Sequence, residues 1–143
     1  MAIEDSLRTR LLAQTAVTAI TSTVRPYKLA QQDKLPAVVL QVESETVNND
    51  IEYQGGLVDC RIRIVSLAES LATARSLAVA INGNNSSGSP SGLAGYEGTV
   101  SGIEIQGAEL QSREVEFVPY GDDSDDGFYH VDLIYLVHYT ETP

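Results

Sequence analysis

The stretch Leu57-Val58-Asp59-Cys60-Arg61-Ile62-Arg63-Ile64-Val65-Ser66-Leu67-Ala68-Glu69 decides the fold, because its hydrophobic period changes partway along. Val58, Cys60, Ile62 and Ile64 alternate with Asp59, Arg61 and Arg63, which predicts a strand from about Leu57 to Val65 with one apolar and one polar face. Ser66-x-x-Glu69 then has capping-box spacing, Leu67, Leu71, Ala74, Ala78 and Ile81 recur at helical intervals, and Gly83 follows as a stop. A strand feeding directly into a helix of small residues implies a helix packed closely on a sheet.

Toward the N-terminus, Ile3, Leu7 and Leu11 stand four residues apart and predict an amphipathic helix from about Glu4 to Gln14. Ala16, Val17 and Ile20 continue the apolar surface into a second short turn, before Thr21-Ser22-Thr23 and Pro26 break it. Pro36 to Glu45 reads as a strand with Val38, Leu40 and Val42 on its inward face, and Asn48-Asn49-Asp50 and Gly55-Gly56 read as turns flanking a short extended piece. After the central helix, Asn84 to Gly95 is biased to Asn, Ser and Gly and is expected to be a mobile loop. Two more strands are expected, Val100 to Val118 with a bend near Gly107, and Phe128 to Tyr139. In the last, Tyr129, Val131, Leu133, Tyr135, Val137 and Tyr139 share a face that belongs to a core or an interface. The expectation is a single α+β domain over residues 1–143, a mostly antiparallel sheet packed against two helices, with a flexible Gly/Ser-rich loop at about 84–99.

A chain of 143 residues suits one domain, and 43% hydrophobic residues supply its core without staples. Cys60 is the only cysteine, which excludes an intrachain disulfide or a multi-cysteine zinc site, and its place in an alternating strand reads as a small buried apolar residue. No apolar run approaches the ~20 residues of a membrane span. The acidic start Met1-Ala2-Ile3-Glu4-Asp5 is unlike a signal peptide, so the chain is expected to be cytosolic when made. Asn84-Asn85-Ser86 and Asn85-Ser86-Ser87 therefore match a glycosylation pattern that lacks a secretory context.

The net charge of -11 is unevenly spread. Up to Arg75, 8 Lys/Arg stand against 9 Asp/Glu, whereas from Ser76 onward Arg113 alone faces 11 acids. Tight nucleic-acid binding needs cations that displace phosphate counterions, and this balance disfavours it. An acidic wall would instead keep DNA in a channel from sticking, although solubility is the simpler reading of the same acids.

Catalytic and metal patterns are weak. Gly88-Ser89-Pro90-Ser91-Gly92 has the outline of a serine nucleophile elbow, but proline holds the nucleophile's position. His130, Asp132 and His138 share a strand face, and a metal or general-base role there would need further converging ligands. Asp122-x-Ser124-x-Asp126-Gly127 has the first half of a calcium loop, yet Leu133 stands where the bidentate glutamate belongs, so a solvated acidic turn is the ordinary reading. No Gly-rich loop with a phosphate-binding lysine enters a helix. The residues therefore call for no cofactor.

The order of the elements resembles the tail terminator, or tail completion, proteins of long-tailed bacteriophages, which join tail to head. The resemblance rests on the Ile3-x-x-x-Leu7-x-x-x-Leu11-Leu12 helix followed by Ala16-Val17-Thr18-Ala19-Ile20, and on Arg25-Pro26-Tyr27 and Leu35-Pro36-Ala37-Val38-Val39. It continues in the strand Asp59 to Val65, which runs into Ala74-x-x-Leu77-Ala78. The family commonly has tyrosine then proline where this chain has Pro26-Tyr27, and residues 84–99 are longer and richer in Gly and Ser than the family leads one to expect.

That resemblance implies a non-enzymatic virion protein, a ring of about six subunits that caps the tail tube, ends its polymerisation and docks to the head-tail connector. The implied partners are further copies of the chain, the tail tube protein and the connector, with genomic DNA passing through the channel without specific binding and no membrane involved. Another neck or head-completion ring subunit is the closest alternative, and a small α+β enzyme or ligand-binding domain built around His130 and Asp132 a more distant one. Within a ring, Arg61 and Arg63 are candidates to meet a neighbour's Glu114 and Glu116; the competing reading pairs them within their own sheet or leaves them in water. Asn84, Asn85, Tyr96, Asp122, Asp123, Asp125 and Asp126 are candidates for loops that face partners or the channel and order on assembly.

Overall fold

The computed structural model describes residues 2–30, 32–48, 57–83, 91–100, 102–120 and 126–140. The elements are α1 (Ile3–Leu12), α2 (Thr15–Thr18), β1 (Val24–Pro26), β2 (Ala37–Asn48), β3 (Leu57–Ala68), α3 (Leu71–Asn82), β4 (Gly98–Val100), β5 (Ile103–Pro119) and β6 (Gly127–Thr140). All six strands belong to one sheet in the order β1-β2-β3-β6-β5-β4. β1 runs parallel to β2, and the other neighbouring pairs are antiparallel. The α+β class stands, with two corrections to the expected layout: the described residues form three helices rather than two, and the sheet has a parallel edge strand.

Both corrections have local causes. Gln14 adopts an extended backbone between the first two helices and buries its side chain, whose amide donates to the carbonyls of Ala80 and Ser91 at 3.2 and 3.3 Å. That wedge separates α2 from α1. Residues 24–26 had the look of a helix breaker only, yet Val24 is fully buried and pairs with Val38, and Pro26 is tolerated because β1 lies at the sheet edge.

The deciding stretch also departs from expectation. β3 continues to Ala68, and α3 begins at Leu71, after Ser70, instead of at the Ser66 capping box. Leu67 and Ala68 hold their places against His130 and Tyr129 of β6, so sheet pairing prevails over the local helical pattern. Ser66 is fully buried, and its hydroxyl donates 2.9 Å to the Ala74 carbonyl, stitching the strand to the helix it precedes. At the other end Gly83, with φ +69°, stops α3 as expected. A Cβ on Gly83 would stand 2.2 Å from the Gly92 nitrogen, so only glycine lets the returning chain pass there.

The core lies between the sheet and the helices. Val58, Cys60, Ile62 and Ile64 of β3 and Val131, Leu133, Tyr135, Val137 and Tyr139 of β6 form its floor, while Leu7 and Leu11 of α1 and Ala74, Leu77, Ala78 and Ile81 of α3 form its roof. Burial pushes the Cys60 thiol up to about 12, which makes it an inert packing group. Tyr135 is fully buried and reaches Asn82 with its hydroxyl at 2.7 Å.

α1 also binds both outermost strands. The Ser6 hydroxyl donates to the Val100 carbonyl of β4 at 3.0 Å, and Arg8 Nε donates to the Val24 carbonyl of β1 at 2.7 Å. The sheet must curl for strands at its opposite edges to meet one helix.

Of the loop expected at 84–99, residues 84–90 lie outside the described residues. Residues 91–97 form a packed turn: Leu93 is fully buried, and the Leu93 and Ala94 amides donate to the Ile81 and Asn82 carbonyls at the end of α3. The strand expected over Val100 to Val118 divides into β4 and β5, with a register shift between Ile105 and Gly107 at the expected bend. The short extended piece expected after Asn48 lies outside the described residues.

Replacing Ser66 by alanine is expected to cost about 1 kcal/mol, because it removes a buried hydrogen bond, while Glu69→Ala changes stability by less than about 0.5 kcal/mol. Urea unfolding of the two variants checks this; equal losses would restore the capping-box reading.

Candidate assembly surfaces

The face of the sheet turned away from the helices carries the chain's organised charge. Strand alternation places Arg61 and Arg63 of β3 and His130 and Asp132 of β6 on this face, and a register shift in β2 swings Glu43 between the two arginines. Arg61 Nε meets Glu43 Oε2 at 3.0 Å, and Arg63 Nε meets Glu43 Oε1 at 2.7 Å. Arg63 also donates to Asp132, whose second oxygen lies 2.6 Å from His130 Nδ1. His130 Nε2 stands 3.4 Å from Glu116 on β5. A continuous ladder of charged and polar side chains thus crosses four strands, from β2 to β5. His138 and Asp59 make a separate pair nearer the other end of the sheet.

Charge sharing has the expected electrostatic result. The hydrogen bond from Arg63, which outweighs the opposing effect of burial, and then the bond from Arg61 hold the Glu43 carboxyl below its ordinary range, and Glu43 in turn raises Arg63. Arg61 remains the open end of the ladder, with 52% of its side chain exposed.

Arg61 and Arg63 therefore have acid partners within their own chain, the competing reading of the sequence pattern. Glu114 and Glu116 are on the same sheet face, on β5 opposite Asp132 and His130, and both are exposed. Sequence patterning places Arg61 and Arg63 on the polar face of their strand and names Glu114 and Glu116 as acids, without a face. It gave no sign of the ladder, which depends on the non-local register of β3 against β6.

The outer part of the β5–β6 hairpin runs past the helices. Phe117 and Tyr129 pair across it with ring centroids 4.9 Å apart, and Tyr120 and Phe128 lie at 6.2 Å. These contacts stiffen a segment that the main core does not cover: Val115 is 40% exposed and Phe117 38%. At its base, Leu29, Leu35, Leu67, Tyr120 and Phe128 line an open groove of about 470 Å³, rimmed by Asp33, Lys34 and Glu69. A second groove beside it is lined by Glu69, Phe117, Tyr120, Asp126, Gly127 and Tyr129. Neither contains His130 or Asp132.

Tyr96, expected in a projecting loop, is half-buried beneath Arg10, whose guanidinium carbon lies 4.1 Å from the ring centroid. It fastens the packed turn to α1. Asp126 is exposed at the hairpin end, and its carbonyl accepts the Tyr120 amide at 2.9 Å. Asn84, Asn85, Asp122, Asp123 and Asp125 lie outside the described residues. Among the described residues, no group of three His, Cys, Asp or Glu side chains is arranged to hold a metal, and no helix is long and apolar enough to cross a membrane.

These features all lie at the surface: a charge-paired sheet face that ends in the exposed Arg61, the outer part of the β5–β6 hairpin and two open grooves. The sequence profile of the family described as tail completion protein gp17 matches residues 5–139. The chain belongs to that family and is a structural protein of a phage tail. The fold is similar to a chain in the solved structure titled "Virion of native gene transfer agent (GTA) particle", with a TM-score of 0.63, 18% identity, and coverage of 98% of this chain and 96% of that one. No curated protein sequence matches the chain.

The ladder predicts a pH dependence. Because Glu43 is held below its ordinary 4.5, its ion pairs contribute stability above that pH and lose it as the pH falls through the depressed value. Glu43→Gln should cost about 0.5–1 kcal/mol at neutral pH, and the gap to the wild type should narrow as the pH falls below the ordinary 4.5 and through the depressed value. Urea titrations over this range measure it; a gap independent of pH would overturn the assignment.

Proposed function

We propose that the protein forms a ring of about six subunits that caps the tail tube, ends its polymerisation and presents the surface on which the head-tail connector docks. The family match over residues 5–139 carries this reading. The virion particle that contains the structural neighbour supports it, since a chain of the same fold is built into a phage-like assembly there. Charge supports it as well. Glu104, Glu109, Glu114 and Glu116 all stand exposed on β5, and an acidic surface suits a channel through which DNA passes without being held.

A closed ring is built from heterologous contacts, in which two different patches of each subunit meet. Arg61 supplies one patch, since it offers exposed guanidinium donors beyond its bond to Glu43. Glu114 and Glu116 of the neighbouring copy supply the other.

Purified protein incubated with unterminated tail tubes should bind the growing end, appear there as rings in negative stain and stop elongation. Binding to DNA-filled heads with none to tubes would instead mark a head-completion subunit. The double variant Glu114→Lys with Glu116→Lys should weaken ring assembly about tenfold, with a smaller salt dependence than the wild type. Sedimentation across concentration and ionic strength reads both effects, and unchanged assembly would remove the charge contact from the proposal.

A further inference from the structure

Two half-edges of the sheet are left open, and they complement each other. β1 covers β2 only along Val38–Leu40, where the Tyr27 amide closes the pairing on the Leu40 carbonyl. β4 covers β5 only along Ile103–Ile105, with one further bond from the Gly95 amide to the Ala108 carbonyl. Among the described residues, no strand pairs with the outer edge of β2 over 41–48 or with that of β5 over 109–119. Long open edges are templates for another strand.

Resting on the ring reading above, we propose that neighbouring subunits join by β-augmentation, the free half of β5 in one copy pairing with the free half of β2 in the next. Strand direction fits without adjustment. β2 is antiparallel to β3, β3 to β6 and β6 to β5, so β2 and β5 point in opposite directions, and head-to-tail repetition sets them antiparallel across the junction. The faces fit too. Val115 and Phe117 share the helix-side face with Val47 of β2, which is 53% exposed, so the junction brings three uncovered apolar side chains together. On the opposite face, Glu114 and Glu116 come alongside the edge where Glu43 is already neutralised and Arg61 is open. A two-fold contact of β5 with β5 would instead set the Glu114 and Glu116 carboxylates of both copies together, which like-charge repulsion opposes.

The test is site-directed crosslinking in a Cys60→Ala background, where Val47→Cys, Val115→Cys and the double variant are treated with a short bismaleimide after ring assembly on tail tubes. Native hydrogen exchange on wild-type protein, free and assembled, provides a second reading that needs no substitution. The expected result is a covalent ladder reaching full ring size for the double variant alone, with residues 42–48 and 109–119 gaining exchange protection on assembly. Dimers from Val115→Cys alone would show a β5–β5 contact and overturn the proposal. Rings that form without the ladder and without new protection on either strand would overturn it while leaving the ring function intact. Failure to form rings on tubes at all would overturn both.

Discussion

The fold depends on one helix touching both margins of one sheet. Ser6 and Arg8, two residues apart on α1, hold the carbonyls of Val100 and Val24, which belong to the outermost strands on either side. A six-stranded sheet can offer both margins to a single helix only when its twist is drawn into a curl. Once curled, its inner face needs little cover. α1 and α3 suffice, and Leu7, Leu11, Leu77 and Ile81 close a core that two helices could not close over a flat sheet of this width. The same tie explains why β1 and β4 are each only three residues long. They run just far enough to meet α1.

Curling leaves the outer face of the sheet turned away from the helices, and the charges at its centre are paired across strands. Burying Asp132 to 5% exposure would be costly for a lone carboxylate, yet Arg63 and His130 flank it from neighbouring positions. Glu43 reaches its place between Arg61 and Arg63 through the bulge in β2, so an irregularity in one strand completes a network on another. Where the ladder's charges are already paired, a further specific contact needs a member with spare donors. Arg61 is that member.

Much of this was legible in the sequence, and the misses share a cause. The alternation in β3 and β6, the stripe of α1 and the stop at Gly83 are local signals, and each corresponds to an element of the fold. The start of α3 departs from the local pattern because Ser66-x-x-Glu69 is a valid local helix signal that loses to pairing with a strand some 65 residues away. β1 was missed because three residues ending in proline carry no periodicity, and only parallel pairing with Val38–Leu40 makes them a strand. Tyr96 was read as a loop residue because Gly and Ser surround it. The cation beneath which it packs, Arg10, comes from the other end of the chain. The candidate charges are legible as residue types, and for Arg61 and Arg63 as a face, but their partners require the register.

For the proposed ring, charge and open edges together bear on how a subunit would stay apart from its own copies until its partner arrives. An exposed edge strand with apolar Val115 and Phe117 on one side is an aggregation hazard in a free subunit. Natural sheets guard such edges with charge, and here the guards are Glu109, Glu114 and Glu116, spaced along the open half of β5 within a chain of net charge -11. Acids on this strand repel a second β5, and repel free copies generally at long range. On the outer face they meet an edge whose acid there, Glu43, is already held by two arginines. In the proposed ring the same acids would also favour the β2 edge over a second β5, and a tube end that raises the local concentration of copies would help to overcome the long-range repulsion.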